Sequence, residues 1–188
     1  MKSARKEVSA VQRNAAPWPI DAIVAELRTL RVKSLEARSR GDRPPRLPSR
    51  KALAGIVDGV SAALFPNRLG SPDLTDAGVD YFVGHTLEVN LRLLHEQLTR
   101  EFQFSSGLDR LSDVDRERAI YVTHAFAQYL PKVRSQLESD LVAAFEGDPA
   151  ARTIDEVLVC YPGITAITHY RLAHALHCLG APLVARMV

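Results

Sequence analysis

Apolar residues recur along most of the chain at spacings of three and four and do not alternate in twos, so the sequence reads as a succession of amphipathic helices. Ile20, Ile23, Val24, Leu27, Leu30 and Leu35 mark the first, with Asp21 and Glu26 early and Arg38 late. The stretch from Arg40 to Pro48 is a linker, held extended by Pro44-Pro45. Ser49 caps a second helix carrying Leu53, Ile56, Val57, Val60 and Leu64, which ends in the run from Pro66 to Pro72. Asp73 or Thr75 opens the longest helix, to about Glu101, with Val83, Leu87, Leu91, Leu94 and Leu98 on one stripe. Gly78 and Gly84 each cost about 1 kcal/mol relative to alanine, which predicts an irregular start. Ser105-Ser106-Gly107 reads as a turn.

Ser112, followed by Asp113 and Asp115, opens a further helix through Ile120, Ala127 and Leu130. Pro131 is expected to interrupt it, leaving a separate helix with Val133, Leu137, Leu141 and Phe145 that closes at Gly147. Asp148-Pro149 then reads as a helix start, the carboxylate accepting from free backbone N–H groups. Thr153 and Glu156 have the spacing of a capping box. Two short apolar helices are expected to meet at Pro162-Gly163. The second has Ile164, Ile167, Tyr170, Leu172, Ala173, Leu176 and Leu179 on a greasy side, and His169, Arg171, His174 and His177 elsewhere. Gly180 and Pro182 stop it, and the apolar Leu183 to Val188 that follows is a segment a globular protein needs to bury. The fold class is therefore all-α: a bundle of six to eight helices with a flexible basic N-terminal arm. Residues 1–48 hold the arm, one amphipathic helix and the Pro-rich linker, and residues 49–188 hold the helical domain.

Composition sharpens this picture in a few places. With 188 residues, 46% hydrophobic and 24% charged, the chain suits one domain with a substantial core. No apolar run approaches the roughly 18 residues of a membrane span, and Met1 to Glu7 lack a secretory apolar stretch. Cys160 and Cys178 have no metal-ligand spacing, and the expected setting is cytoplasmic and reducing. Residues 1–50 hold 12 Lys/Arg and 5 Asp/Glu, net +7, while the rest hold 12 and 17, net −5. That basic arm reads as a solvated tail, because no aromatic interleaving or nucleic-acid module accompanies it; no membrane or nucleic-acid partner is expected. Arg40-Gly41-Asp42 is read as chance. His169, His174 and His177 fall short of a metal site and read as packed or surface residues, and His85, His95 and His124 are isolated. No phosphate loop, nucleophile elbow or zinc-protease motif is present.

The segment from Gly147 to Met187 carries Asp148-Pro149-Ala150-Ala151, Asp155-Glu156-Val157, Cys160-Tyr161-Pro162-Gly163 and Tyr170-Arg171-Leu172-Ala173-His174. It resembles the end of the helical domain of serine O-acetyltransferases, in their long-N-terminus bacterial branch. From Lys51 to Phe145 the chain is compatible with that family, and before Lys51 nothing matches it. The resemblance implies transfer of an acetyl group from the co-substrate acetyl-CoA to L-serine, in cysteine synthesis, by homo-oligomers. It implies that catalysis, including the general-base histidine and most of the CoA site, belongs to a left-handed parallel β-helix of hexapeptide repeats. No such short period occurs here, so the chain resembles the helical portion alone.

On that reading the chain itself holds no catalytic, cofactor-binding or metal-binding residue and is inactive alone. Asp148 is the candidate substrate-binding residue, pairing with the serine ammonium group; capping alone would equally account for it, and the two roles are compatible. Tyr170, Arg171 and His174 are expected to fix the last helix. An alternative makes the chain a noncatalytic assembly or regulatory module that binds full-length acetyltransferases.

Overall fold

The computed structural model describes residues 18–37, 46–107 and 110–188. Among these, all regular elements are helical, eight of them α-helices, as expected for an all-α bundle. The chain divides into two compact units, residues 1–44 and 45–188. In the first, α1 (Ile20–Ala37) stands with Ile20, Ile23, Val24, Leu27 and Leu30 exposed along one stripe. The expectations for the basic arm before Pro17 and for Arg40-Gly41-Asp42 lie outside the described residues.

The second unit is the bundle. Its helices are α2 (Arg50–Leu64), α3 (Pro66–Leu69), α4 (Val79–Ser106), α5 (Asp113–Gly147), α6 (Ile154–Cys160), α7 (Pro162–Cys178) and α8 (Pro182–Met187). The expected caps form: Ser49 Oγ accepts from the Ala52 N–H at 3.3 Å, and Ser112 Oγ from the Asp115 N–H at 3.1 Å. A 3-10 turn at Asp76–Gly78 supplies the irregular start of α4. Ser105 and Ser106 stay helical, and Gly107 ends α4 with φ 67°, a left-handed conformation that glycine adopts without a Cβ penalty.

α2 packs on α4, α4 on α5, α5 on α7, and α7 on α8. Leu53, Ile56, Val57 and Val60 of α2 are buried against Leu94, Leu98 and Phe102 of α4. The α2–α4 approach is close because position 59 is glycine: a Cβ there would come within 2.3 Å of the buried Asn90 side chain. Towards the start of α4 the apolar stripe is only half covered, at Val83, Leu87 and Leu91.

Two expectations for α5 need correction. The helix runs unbroken through Pro131, as a single element of 35 residues. Its buried positions are Ala119, Val122, Phe126, Leu130, Val133, Leu137 and Leu141, a stripe that crosses the proline without a change of face. Pro131 points outward, so the helix loses one backbone bond on its solvent side while keeping its whole apolar seam. Ile120, expected inside, is 45% exposed, because the seam passes through Ala119 instead.

The apolar end of the chain is also buried. α8 tucks Val184 and Ala185 into the core. Gly180, with φ 85°, makes the reversal: the Ala181 N–H donates to Leu176 O at 3.0 Å and the Gly180 N–H to His177 O at 3.0 Å. Arg118 donates to Gly180 O at 2.8 Å and lies 4.3 Å from the centre of the Phe102 ring.

α8 starts at a buried carboxyl group that the apolar pattern conceals. Glu101, 1% exposed, accepts from the Leu183 and Val184 N–H groups, one on each oxygen, both at 2.8 Å. One turn earlier Gln97, equally buried, accepts from the Ser49 N–H at 2.8 Å, ahead of α2. α4 thus satisfies backbone donors at both ends of the bundle's sequence. Glu101→Gln replaces one acceptor by an amide that faces a backbone donor. It is expected to cost about 1–3 kcal/mol in urea denaturation, whereas an unchanged midpoint would show that the two bonds contribute nothing.

Candidate functional site

Asp148 lies where α5 ends. Its own N–H donates to Phe145 O at 3.4 Å, and its backbone is extended, with φ −121° and ψ 102°. It does not start a helix, as the Asp-Pro pattern suggested. Its Oδ1 accepts from the Ala150 N–H at 2.9 Å and its carbonyl from the Ala151 N–H at 3.1 Å, which closes a turn. The helix start falls to Thr153, whose Oγ1 accepts from the Glu156 N–H at 3.0 Å. Glu156 returns its carboxylate to the Arg152 N–H at 3.0 Å, one residue before the usual partner of a capping box.

The second oxygen of Asp148 meets Tyr161, the single residue between α6 and α7. Pro162 disfavours the helical region for the residue before it, and Tyr161 is extended, with φ −89° and ψ 113°. Its ring is half-buried and its hydroxyl donates to Asp148 Oδ2 at 2.5 Å. The loop after α5 and the corner between α6 and α7 are therefore joined through one carboxylate.

This pairing sets the titration of both groups. The Tyr161 hydroxyl, and then the Ala150 N–H, hold the Asp148 carboxyl below the ordinary range, against a small opposing effect of burial. In return the Asp148 carboxylate pushes the Tyr161 phenol up to about 12. For the lowered carboxyl, the stabilisation is present above its unfolded pKa and is lost as pH falls through the folded value. For the raised phenol, it is present below the unfolded value near 10 and is lost as pH rises through about 12. The contact persists throughout the neutral range.

Asp148 is half-buried, so it is not sealed inside the bundle. A carboxylate offers about four lone-pair sites. Tyr161 and Ala150 use two, which leaves capacity for a cation. Cys160 beside the corner is an exposed free thiol. The last residue sits nearby: His169 Nδ1 is 3.0 Å from Val188 O. His169 follows Tyr161 by eight positions, so the chain's last carbonyl lies about 12 Å along α7 from the corner.

The remaining candidates separate into a buried side and an open side of α7. Arg171 forms a two-pronged pair with Asp140 of α5, at 3.0 Å through Nε and 2.8 Å through the terminal nitrogen. It ties α7 to α5, the structural role expected of it. Tyr170, expected on the apolar side, is exposed and stacks on His174 with ring centres 5.7 Å apart. The core takes Thr168 and Ala175 instead, along with Ile164, Leu172 and Leu176. His174 Nε2 lies 3.6 Å from Cys178 Sγ, and His177 is exposed. Among the described residues, no group of three or more His, Cys, Asp or Glu is placed to hold a metal ion. Nor is any helix there long and apolar enough to cross a membrane.

Two residues of this site escaped the sequence reading. Tyr161 falls within a family-like motif that gives it no role, and its position one residue before a proline is the available signal. Asp140, by contrast, had no local pattern to mark it.

Fold and site together define an all-α domain that presents a half-buried carboxylate, with acceptor capacity to spare, where its longest helix ends. No family model matches the chain. Individual relatives do, among them serine acetyltransferases. It is 41% identical over 189 residues to the plasmid serine acetyltransferase of Synechococcus elongatus, covering 98% of this chain and 58% of that one. It is 52% identical over 50 residues to the serine acetyltransferase of Mycobacterium tuberculosis, covering 27% and 22%. Among solved structures, serine acetyltransferase isoform 3 of Entamoeba histolytica, in complex with cysteine, aligns with a TM-score of 0.55 at 18% identity, over 85% of this chain and 52% of that one. At that identity the last likeness speaks for the fold. The chain thus spans little more than half the length of the plasmid relative. That relative's match also extends through the N-terminal region where the residues themselves offered no resemblance.

The geometry predicts that Tyr161 stays protonated up to about pH 11, and that Asp148→Asn returns its titration to about pH 10. Tyrosine ring-carbon NMR against pH reads this out; a Tyr161 titration indifferent to the substitution would contradict the pairing.

Proposed function

We propose that this chain is the helical domain of a serine O-acetyltransferase, and that Asp148 forms one side of the serine pocket. In the complete enzyme the serine hydroxyl oxygen attacks the thioester carbonyl of acetyl-CoA. A base takes its proton, and CoA leaves as the thiol, giving O-acetylserine for cysteine synthesis. The base and the CoA-binding surface belong to sequence beyond these 188 residues. The helices contribute assembly into homo-oligomers and the Asp148 carboxylate. We place the enzyme in the cytoplasm.

The observation that carries this reading is the setting of Asp148 within a chain that aligns over 98% of its length with part of a serine acetyltransferase. Its carboxyl is held ionised by Tyr161 and Ala150, remains half-exposed, and keeps acceptor sites free. An ammonium group needs a carboxylate that is charged and reachable. Among the described residues, neither oxygen is committed to a cationic side chain, unlike those of Asp140 with Arg171 or Asp155 with Arg68.

Two measurements test the division of labour. The 188-residue chain, given serine, acetyl-CoA and a thiol reagent, is expected to release CoA at the background rate, and robust release would overturn the assignment. In a chimera where this chain replaces the matching part of the Synechococcus elongatus plasmid enzyme, Asp148→Asn is expected to raise KM for serine about tenfold or more. KM for acetyl-CoA should stay unchanged. Equal KM values for serine in the two chimeras would remove Asp148 from the pocket.

A further inference from the structure

The two oxygens of Asp148 are held by donors of very different reach. On Oδ1 the donor is local, the Ala150 N–H of its own turn at 2.9 Å. On Oδ2 it comes from thirteen residues away, the Tyr161 hydroxyl at 2.5 Å. The terminal torsion of an aspartate is broad and roughly two-fold, so one hydrogen bond restrains the plane of a carboxylate only weakly. A donor on each oxygen sets both that plane and the direction of the lone pairs left unused.

Tyr161 is placed to give such a bond a fixed origin. Its ring is half-buried and packs on the core. Pro162 after it favours the extended backbone of the corner, and α6 before it is capped at Thr153. The donor is thus held by the bundle, whereas Asp148 stands in the loop between α5 and α6. Both residues are half-open to water, so the bond replaces hydrogen bonds to solvent and adds little to folding. Orientation is what it changes.

We propose that Tyr161 is a positioning residue for the amino-acid substrate: its hydroxyl fixes the face that Asp148 presents to the ammonium group. The inference rests on the function proposed above, in which Asp148 forms one side of the serine pocket. It adds a second residue, which acts through that carboxylate without touching the substrate. A carboxylate already aimed has little orientational freedom left to lose when the ammonium group arrives.

Steady-state kinetics of the Synechococcus elongatus chimera carrying Tyr161→Phe tests this. The ring and its core contacts stay and one oxygen goes, so the bundle's urea midpoint is expected to stay unchanged. KM for serine should rise about three- to tenfold, the effect of one ordinary hydrogen bond. Neither kcat nor KM for acetyl-CoA should change, because binding weakens equally in the ground and transition states. In an Asp148→Ala background the same substitution should change nothing further, since its whole effect passes through the carboxylate. If Asp148→Asn raises serine KM and Tyr161→Phe does not, the inference is overturned and Asp148 stays in the pocket. A lower serine KM would overturn it too, by showing that the hydroxyl competes with the ammonium group. So would a further rise in the Asp148→Ala background, or a lowered midpoint with kcat and both KM values disturbed, which would assign the tyrosine to folding alone. Serine KM indifferent to Asp148→Asn would remove the pocket and this inference with it, so the two readings fail by different results.

Discussion

A carboxyl group inside an apolar core is tolerated only when its oxygens are satisfied, and the bundle depends on one whose oxygens are. Glu101 is sealed between α4 and the last helix, with a backbone donor on each oxygen. The first turn of a helix leaves N–H groups without partners, and its positive end favours an anion. A six-residue helix has little cohesion of its own, so α8 is placed by what lies at its start. Val184 and Ala185 can enter the core because the donors beside them are met. The same logic operates at Gln97, which receives the N–H of Ser49 ahead of α2.

From that arrangement the rest of the architecture follows with ordinary parts. The α5 seam and the buried faces of α2 and α4 form one continuous core, and Arg171 with Asp140 locks α7 across α5. Once α5 and α7 are fixed, the loop between them has little freedom. Asp148 stands where α5 ends and Tyr161 where α7 begins, and the hydroxyl-to-carboxylate bond joins them. The proposed role in holding a substrate's ammonium group uses the part of that carboxylate which the fold leaves uncommitted.

Much of the fold was legible because helices announce themselves by spacing and by their caps. The seam of α2, with Ser49 before it, and the starts at Ser112 and Thr153 were all visible as local patterns. What could not be read depended on partners far away in sequence. Glu101 and Gln97 look like surface residues at the end of a long helix until residues 183 and 49 come to meet them. Pro131 looks like a break because a proline usually is one. It is tolerated here since the missing bond falls on the outer face, and the contacts of Leu130 and Val133 hold both halves in line. Tyr170 reads as inward on apolar character, but Thr168, which bonds the Ile164 carbonyl at 2.9 Å within its own helix, takes a buried place instead. The site was half legible. The residues around Asp148 carried the family likeness, while the partner that sets its charge state, Tyr161, became apparent only from the folded geometry.

The most direct measurement of this account is amide hydrogen exchange at Leu183 and Val184 in the unaltered chain. If Glu101 holds the start of α8 in the core, both amides exchange as slowly as those of the buried half of α4, by opening of the bundle as a whole. Exchange at the rate of a frayed chain end would show that the last helix is not held there, and the account built on that clamp would fail.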